Sequence, residues 1–290
     1  MNGTCLVAAV LVWVGVLATA SGQTTVLYDP AAAGGTQRLD EQGWLYLAAD
    51  PVDLLNGSQA VTAATLDPGN LTRLDTTTDR NDYAGFFTHS PFTGLAVHPS
   101  AVALDRTVGF TLSFDLQVLA ETQNARDDNA DGEQDRAGFS VLIVTSDQRA
   151  LELAFSYDDA GGLNRIWAYD DGTTVPANLF TQAEGADRTT LQLTTLTRYD
   201  LAVSGTGYSL RADGSPILGG LLRDYTAFTG LVDPYDKPNL IFLGDDTSSA
   251  DSHVRIGRVA IVVPEPAAAT LLAVLAVATL HRRGRRPRRL

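Results

Sequence analysis

Cysteine and, in the central part of the chain, positive charge are scarce in this sequence. The only cysteine, Cys5, lies in an apolar run at the N-terminus. Removal of that run on export would exclude disulfide bonds, cysteine-based zinc sites and a cysteine nucleophile. The 290-residue chain has a net charge of −13, but six arginines fall in its last ten positions. Residues 21–263 therefore carry 15 basic and 33 acidic side chains, and their net charge of −18 disfavours nucleic acid binding.

The motifs of the common catalytic classes are also missing. The sequence contains no Gly-x-Ser-x-Gly, no His-Glu-x-x-His and no phosphate-binding loop, and its histidines are scattered. Retaining glycosidases need two carboxyl groups about 5 Å apart on one face. Glu152 and Asp158 share a face of a predicted strand, but that strand separates them by about 20 Å. We therefore predict a protein without enzymatic activity.

The N-terminus has the pattern of a secretory signal. Residues 5–18 are apolar, and the small residues of Ala18-Thr19-Ala20 match a signal peptidase site. We predict a cleaved signal peptide over residues 1–20. The alternative is a buried N-terminal helix, because no Lys or Arg precedes the apolar run. No cysteine follows the small residues, so a lipoprotein anchor is not indicated.

The C-terminus combines a proline-bracketed carboxylate, an apolar segment and a basic tail. Val263-Pro264-Glu265-Pro266 must be extended, because proline disfavours helix for itself and for the residue before it. Residues 267–280 are uncharged and rich in Ala and Leu, which predicts a short transmembrane helix. Its 14 residues span about 21 Å, less than the roughly 30 Å hydrocarbon core. The basic tail over residues 281–290, which includes Arg282 and Arg283, predicts that the preceding body lies outside the cytoplasm.

These three C-terminal elements, in this order at the chain end, resemble the PEP-CTERM sorting signal. In that family an exosortase-type membrane enzyme recognises the motif and processes the tail. The resemblance covers residues 263–290. It implies export, transient membrane anchoring through the C-terminal helix, and delivery to the cell envelope, cell surface or extracellular matrix. The alternative is a plain tail anchor.

The body between the two ends predicts an all-β antiparallel sandwich. Residues 23–262 show no long helical period, and short runs of β-branched and aromatic residues alternate with Gly, Asp, Asn and Pro. In residues 110–118, apolar residues alternate with Thr, Ser, Asp and Gln, as in a strand with one buried face. The predicted strands are residues 24–28, 43–47, 108–119, 138–145, 151–157, 165–169, 189–193, 199–204, 208–212, 239–243 and 254–262. Residues 56–66, rich in Ala and Thr, are predicted to be edge or loop.

Two family resemblances refine the fold of the body. The hairpin of residues 199–214, the strand and polar loop of residues 240–252 and a closing strand resemble the concanavalin A-like jelly roll in its laminin-G-like variant. Residues 27–46, 136–169 and 243–250 are similar to exported "choice-of-anchor" proteins. These resemblances imply one concanavalin A-like domain over residues 21–262, and they imply no general catalytic activity.

Residues 127–135 read DDNADGEQD and match the first half of a calcium loop, D-x-[DN]-x-[DN]-G. Calcium binds hard oxygen ligands, and the glycine permits the sharp turn between them. The candidate ligands are the side chains of Asp127, Asn129 and Asp131, the carbonyl of Glu133, and Asp135 or a distant residue. Gly138 stands where an EF-hand has its bidentate glutamate, so this is no EF-hand. The alternative is a solvated acidic loop between strands.

A candidate glycan site consists of Arg165, Trp167 and Tyr169, with Tyr157 nearby. Lectin-like jelly rolls stack sugars on such rings, whereas the alternative is packing within the sandwich. We expect a non-catalytic envelope or matrix protein that binds extracellular polysaccharide. The alternatives are a glycoside hydrolase or lyase of the jelly-roll class and a purely structural envelope protein.

Overall fold

The structure, a computed structural model, describes residues 22–49, 64–78, 82–124, 126–158, 163–186, 192–230 and 232–264. Short 3-10 turns and fifteen β-strands account for the regular structure of these residues. The strands are β1 (Gln23–Tyr28), β2 (Leu45–Ala49), β3 (Thr65–Asp67), β4 (Leu71–Asp75), β5 (Tyr83–Phe87), β6 (Phe110–Gln123), β7 (Ser140–Val144), β8 (Ala150–Asp158), β9 (Leu163–Tyr169), β10 (Gln182–Gly185), β11 (Thr197–Ser204), β12 (Gly207–Ala212), β13 (Ser215–Leu221), β14 (Ile241–Asp245) and β15 (Ala250–Val263).

The strands form two antiparallel sheets. The first sheet, here sheet A, has the order β13-β12-β11-β6-β15-β4-β3, and β1 pairs with the second half of β15. The second sheet, sheet B, has the order β10-β9-β8-β7-β14-β5-β2. All pairings among the described strands are antiparallel, which confirms the predicted all-β antiparallel sandwich.

Local sequence explains why these strands form and where they turn. In β6, Phe110, Leu112, Phe114, Leu116 and Val118 all point to the same face and are buried. The β11–β12 hairpin turns at Gly205, whose φ of 59° lies in the region that glycine adopts without strain. Asp213 and Gly214 form the next turn with φ of 47° and 80°, which the Asp-Gly pair favours in a two-residue hairpin.

The main hydrophobic core fills the space between the two sheets. At its centre the ring of Phe155 on β8 lies 5.9 Å from that of Phe114 and 5.1 Å from that of Tyr199, edge to face in both cases. Aromatic pairs in this geometry add about 1 kcal/mol each to the effect of burial. The core therefore couples β6 and β11 of sheet A to β8 of sheet B.

Sheet B is also covered on its outer face, the face turned away from sheet A. Leu142, Ala154, Trp167, Tyr169 and Phe242 on this face belong to a second buried cluster. Tyr225 and Tyr235, from the long connection between β13 and β14, pack onto the same cluster. All five residues of β7 are consequently buried, and they form a nearly continuous apolar run instead of an alternating one.

Most of the strands predicted from sequence are present, but five were not predicted: β3, β4, β5, β10 and β13. Glycines account for two of these omissions. In β5, a Cβ on Gly85 would lie 2.2 Å from the Phe242 ring, so the glycine serves close packing and not a turn. Strand β13 contains Pro216 as well as glycines, which it tolerates at the edge of sheet A. β3, within the stretch predicted as edge or loop, is an edge strand.

The strand predicted at residues 189–193 is wrong in its described part. Gln192 and Leu193 lie outside the strands, and the strand of this region is β10. Leu193 is nevertheless buried, and its carbonyl accepts a hydrogen bond from the Val118 N–H at 2.8 Å. Its apolar side chain thus packs in the core from a connecting segment.

The body and the chain ends divide into separate units. The residues Gln23–Val263 form one compact unit, and the segments Met1–Gly22 and Pro264–Leu290 fall outside it. The predicted signal peptide and the predicted helix over residues 267–280 lie outside the described residues. Within the described part of the chain, no helix has the length and apolar character needed to cross a membrane.

Candidate functional site

A cleft of about 430 Å³ opens on the outer face of sheet B. Glu152 of β8 and Tyr169 at the end of β9 contribute from the sheet. Loops supply the remaining walls. The loop residues that line the cleft are Arg126, Asp128, Arg136, Ala177, Leu179, Phe180, Phe228, Tyr235, Asp246, Thr247 and Ser248, with Tyr83 at the start of β5.

Glu152 and Asp246 form a carboxyl pair in this cleft. Glu152 is 1% exposed, and its Oε2 accepts a hydrogen bond from the Tyr235 hydroxyl at 2.6 Å. The Glu152 carboxyl also lies within hydrogen-bonding distance of Asp246, whose side chain is exposed. Burial and the adjacent Asp246 carboxylate raise the pKa of Glu152 well above its usual range. These surroundings favour the uncharged form of Glu152, in which its carboxyl group can donate to Asp246.

Three buried tyrosines surround this pair. Burial raises the pKa of the Tyr169, Tyr225 and Tyr235 phenols well above the usual range. They remain protonated, so they act as hydrogen-bond donors and not as bases. The Tyr225 hydroxyl donates to the carbonyl of Tyr169 at 2.7 Å, which ties the β13–β14 connection to the sheet.

The two arginines of the cleft share one carboxylate. Arg126 Nε lies 2.7 and 2.9 Å from the two Asp128 oxygens, and Arg136 donates to Asp128 at 3.1 Å. Arg136 also donates to the Phe180 carbonyl. Its guanidinium lies 5.2 Å from the centre of the Phe180 ring and 5.8 Å from that of Tyr169. Arg136 therefore joins the acidic loop before β7 to the aromatic wall.

Phe180 is the centre of the aromatic wall and has a strained backbone. Its ring stacks on Tyr225 at 5.6 Å and contacts Phe228 and Tyr235 at 5.4 and 5.3 Å. Its φ of 61° lies in the left-handed region, which costs a bulky residue about 1–2 kcal/mol. Strained residues of this kind concentrate at functional sites, so Phe180 marks the cleft as the strongest candidate site of the body.

Of the residues predicted to bind glycan, only Tyr169 lines the cleft. Trp167 is buried, and the Arg165 guanidinium lies 5.5 Å from the centre of its ring. Arg165 in turn forms an ion pair with Glu133 at 2.6 Å. Tyr157, on the opposite face of β8, packs against the main core. The rings of Trp167 and Tyr157 thus contact protein groups. Among the four residues of the predicted glycan site, Tyr169 alone lies beside the cavity.

The predicted calcium loop precedes β7, and its carboxylates bond to its own backbone. Asp127 accepts from the N–H groups of Asp131 and Gly132 at 3.1 and 2.8 Å, and Asp131 accepts from that of Glu133 at 2.8 Å. Asn129 donates to Asp131 at 2.9 Å.

Asp135 is the one member of this loop with a buried oxygen that suits a cation. Its Oδ2 accepts from the Asp128 N–H at 2.5 Å, while its Oδ1 is buried without a hydrogen-bond partner. In the described residues, however, no three His, Cys, Asp or Glu side chains are grouped to hold a metal ion. The hard oxygens suit calcium chemically, and the site stays a prediction.

The predicted sorting motif begins where the described structure ends. Val263 is the last residue of β15, and Pro264 follows it. Glu265, Pro266, Arg282 and Arg283 lie outside the described residues.

Sequence analysis missed the partner of Glu152. Asp246 comes from the loop between β14 and β15, whereas the period-two pattern of a strand relates Glu152 only to residues of its own strand. The sequence does indicate this loop, because in the segment LGDDTSSA of residues 243–250 a polar run follows an apolar strand. Tyr235 and Phe180 lie in connections without a recognisable motif, so no local pattern indicated them.

Comparisons with known proteins assign the chain to no family. No family model matches the chain, and no curated protein matches it. A carbohydrate esterase from the Shiga toxin-encoding bacteriophage phi24B is 14% identical, with a TM-score of 0.48 over 84% of this chain and 100% of that one. A Bacillus subtilis protein with a galectin-like fold is 11% identical over 84% of this chain and 100% of its own, with a TM-score of 0.43.

A third similar structure is a Bauhinia forficata lectin in complex with GalNAc. It is 9% identical, with a TM-score of 0.38 over 83% of this chain and 98% of the lectin. At such identities and TM-scores the neighbours assign no function, so function must be argued from the cleft residues.

Proposed function

We propose that this is an exported, surface-sorted and non-catalytic protein that binds polysaccharide through the cleft on sheet B. The observation that supports binding is the combination of an aromatic wall with converging polar groups. Phe180, Phe228 and Tyr235 supply apolar area, and Glu152 and Asp246 supply carboxyl oxygens. Ligand sites are typically concave and apolar with a few placed polar groups, and sugars need both features.

The position of the cleft suits a protein fixed through its C-terminus. Asp246, Thr247 and Ser248 lie just before the first residue of β15, and Val263 is its last. The 14 residues of this strand span about 45 Å, so these cleft residues lie far from the point where the chain continues toward the sorting motif.

We also propose that the antiparallel sandwich is a concanavalin A-like jelly roll. Delivery to the envelope or matrix after processing by an exosortase-type enzyme belongs to the same proposal. The two antiparallel sheets support the first, and the sequence from Val263 onward supports the second.

The test of polysaccharide binding uses a variant that blocks the cleft. Ser248 is exposed at the cleft, so Ser248→Trp should fill it while the sandwich still folds. We expect the purified full-length protein to bind oligosaccharides on a glycan array and Ser248→Trp to lose that signal. Ser209→Trp, an exposed position on the outer face of sheet A, is the matched control and should bind normally. Silence across all glycans would refute the proposal.

A carbohydrate-active enzyme is a second candidate, favoured by one observation. Glu152 is a buried carboxyl group with a raised pKa beside the exposed carboxyl group of Asp246 in a cleft, and such pairs supply general acids and bases. The two groups are in contact, however, whereas glycosidases hold theirs about 5–5.5 Å or 6.5–9.5 Å apart. Release of reducing ends or unsaturated products from a bound oligosaccharide, lost in Glu152→Gln, would establish this activity.

A further inference from the structure

Both arginines of the cleft are already engaged by protein groups. Asp128 accepts hydrogen bonds from both Arg126 and Arg136, and Arg136 also contacts the Phe180 carbonyl and two aromatic rings. A ligand carboxylate or sulfate would have to compete with Asp128 for these guanidinium groups. Such competition disfavours an anionic ligand, because the displaced Asp128 would lose its charge-assisted hydrogen bonds.

An exposed acidic side chain, Asp246, also lines the cavity. Glu152 lies within hydrogen-bonding distance of Asp246, and burial together with this neighbour raises the pKa of Glu152. The Tyr235 hydroxyl donates a hydrogen bond to Glu152 Oε2, and this bond fixes the orientation of the Glu152 carboxyl group beside Asp246. Asp246 is exposed to the cavity, where its oxygens can accept hydrogen bonds from neighbouring hydroxyl groups of a sugar ring.

The charge of the whole body acts in the same direction. Residues 21–263 carry a net charge of −18. A field of this sign lowers the local concentration of polyanions and slows their association, more strongly at low salt.

We propose that the cleft selects neutral, hydroxyl-rich glycans over glycans that carry uronate or sulfate groups, with Asp246 accepting hydrogen bonds from the ligand hydroxyls and Glu152 positioning Asp246. The inference rests on the proposed polysaccharide-binding function and names the ligand class of the same site.

The experiment compares neutral oligosaccharides with uronate-bearing and sulfated oligosaccharides of the same length, using the full-length protein. We expect affinities for neutral glycans at least about tenfold higher, because an anion forfeits charge-assisted hydrogen bonds in this cleft. The preference should widen when the salt concentration is lowered.

The variant Asp246→Asn tests the assigned residue. It removes the charge of an exposed side chain at nearly constant size and should weaken neutral glycan binding about tenfold, as expected for a charged hydrogen bond. Asp200→Asn, on the outer face of sheet A, is the control and should leave binding unchanged. Glu152→Gln keeps the Tyr235 partner and should weaken binding less than Asp246→Asn.

The outcomes separate the two proposals. Stronger binding of anionic glycans, or unchanged binding in Asp246→Asn, would overturn the assignment of ligand class while polysaccharide binding stands. Absence of binding to every glycan would overturn both.

Discussion

Glu121, near the end of β6, is a buried carboxyl group outside the cleft. Its Oε1 accepts hydrogen bonds from the Gly138 N–H at 3.0 Å and from Gln123 at 2.9 Å, and its Oε2 accepts from the Tyr157 N–H. Burial outweighs these bonds and raises the pKa of Glu121 from 4.5 to about 7. The folded protein therefore holds a proton that the unfolded chain has released over this range, and its stability falls as pH rises through about 7.

This pKa shift predicts the behaviour of Glu121→Gln. The glutamine mimics the protonated acid and cannot ionise, so the part of the pH dependence due to residue 121 should disappear. We expect the wild-type free energy of unfolding to fall relative to the variant by on the order of 3 kcal/mol from pH 4 to pH 8. Urea unfolding of both proteins across this range measures the difference. Parallel pH profiles would contradict the assignment.

Gly138 is required by a close approach of two segments. A Cβ at this position would lie 2.3 Å from the carbonyl carbon of Asp251 and 2.6 Å from its oxygen, both backbone atoms of β15. The Gly138 carbonyl also accepts a hydrogen bond from Ser252 Oγ at 2.6 Å. Neither group can move without disturbing the pairing of β15.

We therefore expect Gly138→Ala to destabilise the fold by about 3 kcal/mol or more, because overpacking here meets backbone. Gly207→Ala is the matched control. Its Cβ would meet only the Gly220 carbonyl at 3.3 Å near the edge of sheet A, and we expect a change of about 1 kcal/mol or less. Urea denaturation of the two variants gives the comparison. Equal stability of both variants would be inconsistent with the packing.

At the scale of elements, the loop of residues 127–135 is ordered largely by its own hydrogen bonds. Asp127 and Asp131 accept from backbone N–H groups within the loop, and Ala130 and Gly132 adopt φ of 59° and 85°. Arg136 and Arg165 connect Asp128 and Glu133 to the cleft and to Trp167. A cation bound in this loop would therefore act on the wall of the cleft as well.

Calcium binding by this loop predicts a thermal shift. A ligand that binds only the folded state at ten times its Kd adds about 1.4 kcal/mol, or about 3–5 °C for a body of this size. We expect the Tm to rise in millimolar Ca²⁺ and to return with chelator. The double variant Asp127→Asn, Asp131→Asn should not respond, whereas Asp224→Asn in another loop should respond normally. An unchanged Tm for the wild-type protein would reject the calcium site.

At the scale of the whole molecule, both ends of the sandwich unit lie side by side. Gln23 pairs with Val263, so β1 and the end of β15 leave sheet A at neighbouring positions. β1 follows the predicted signal peptide almost directly. It pairs with the second half of β15, whereas β4 pairs with the first half. The strand that leads to the predicted sorting motif is thereby held in the sheet by the first strand of the body.

The sorting proposal predicts the fate of altered tails. Glu265→Gln, or replacement of Pro264 and Pro266 by Ala, should leave full-length protein stalled at the membrane, because the extended carboxylate motif is what the processing enzyme would recognise. Immunoblots of membrane and surface fractions measure this. Asp200→Asn, in the body, should be processed as the wild type. Normal processing of the Glu265 variant would remove the basis of the sorting assignment.

The sequence by itself determined the fold class and much of the strand pattern. The alternation in β6 and the glycine turns at Gly205 and Gly214 are local features, and each acts through the backbone preferences of a few neighbouring residues. The same local logic failed at β5, where the packing of Phe242 requires Gly85, and at β13, where the sheet edge tolerates proline and glycine.

Only the tertiary structure decided which residues form the cleft. Glu152 meets Asp246 and Tyr235 because strands far apart in sequence lie side by side in sheet B and a long connection folds over them. The same folding buries Trp167 and leaves Tyr169 beside the cavity, although both share one strand face. Contacts between distant segments depend on sheet order and loop packing, which no periodicity within a strand encodes.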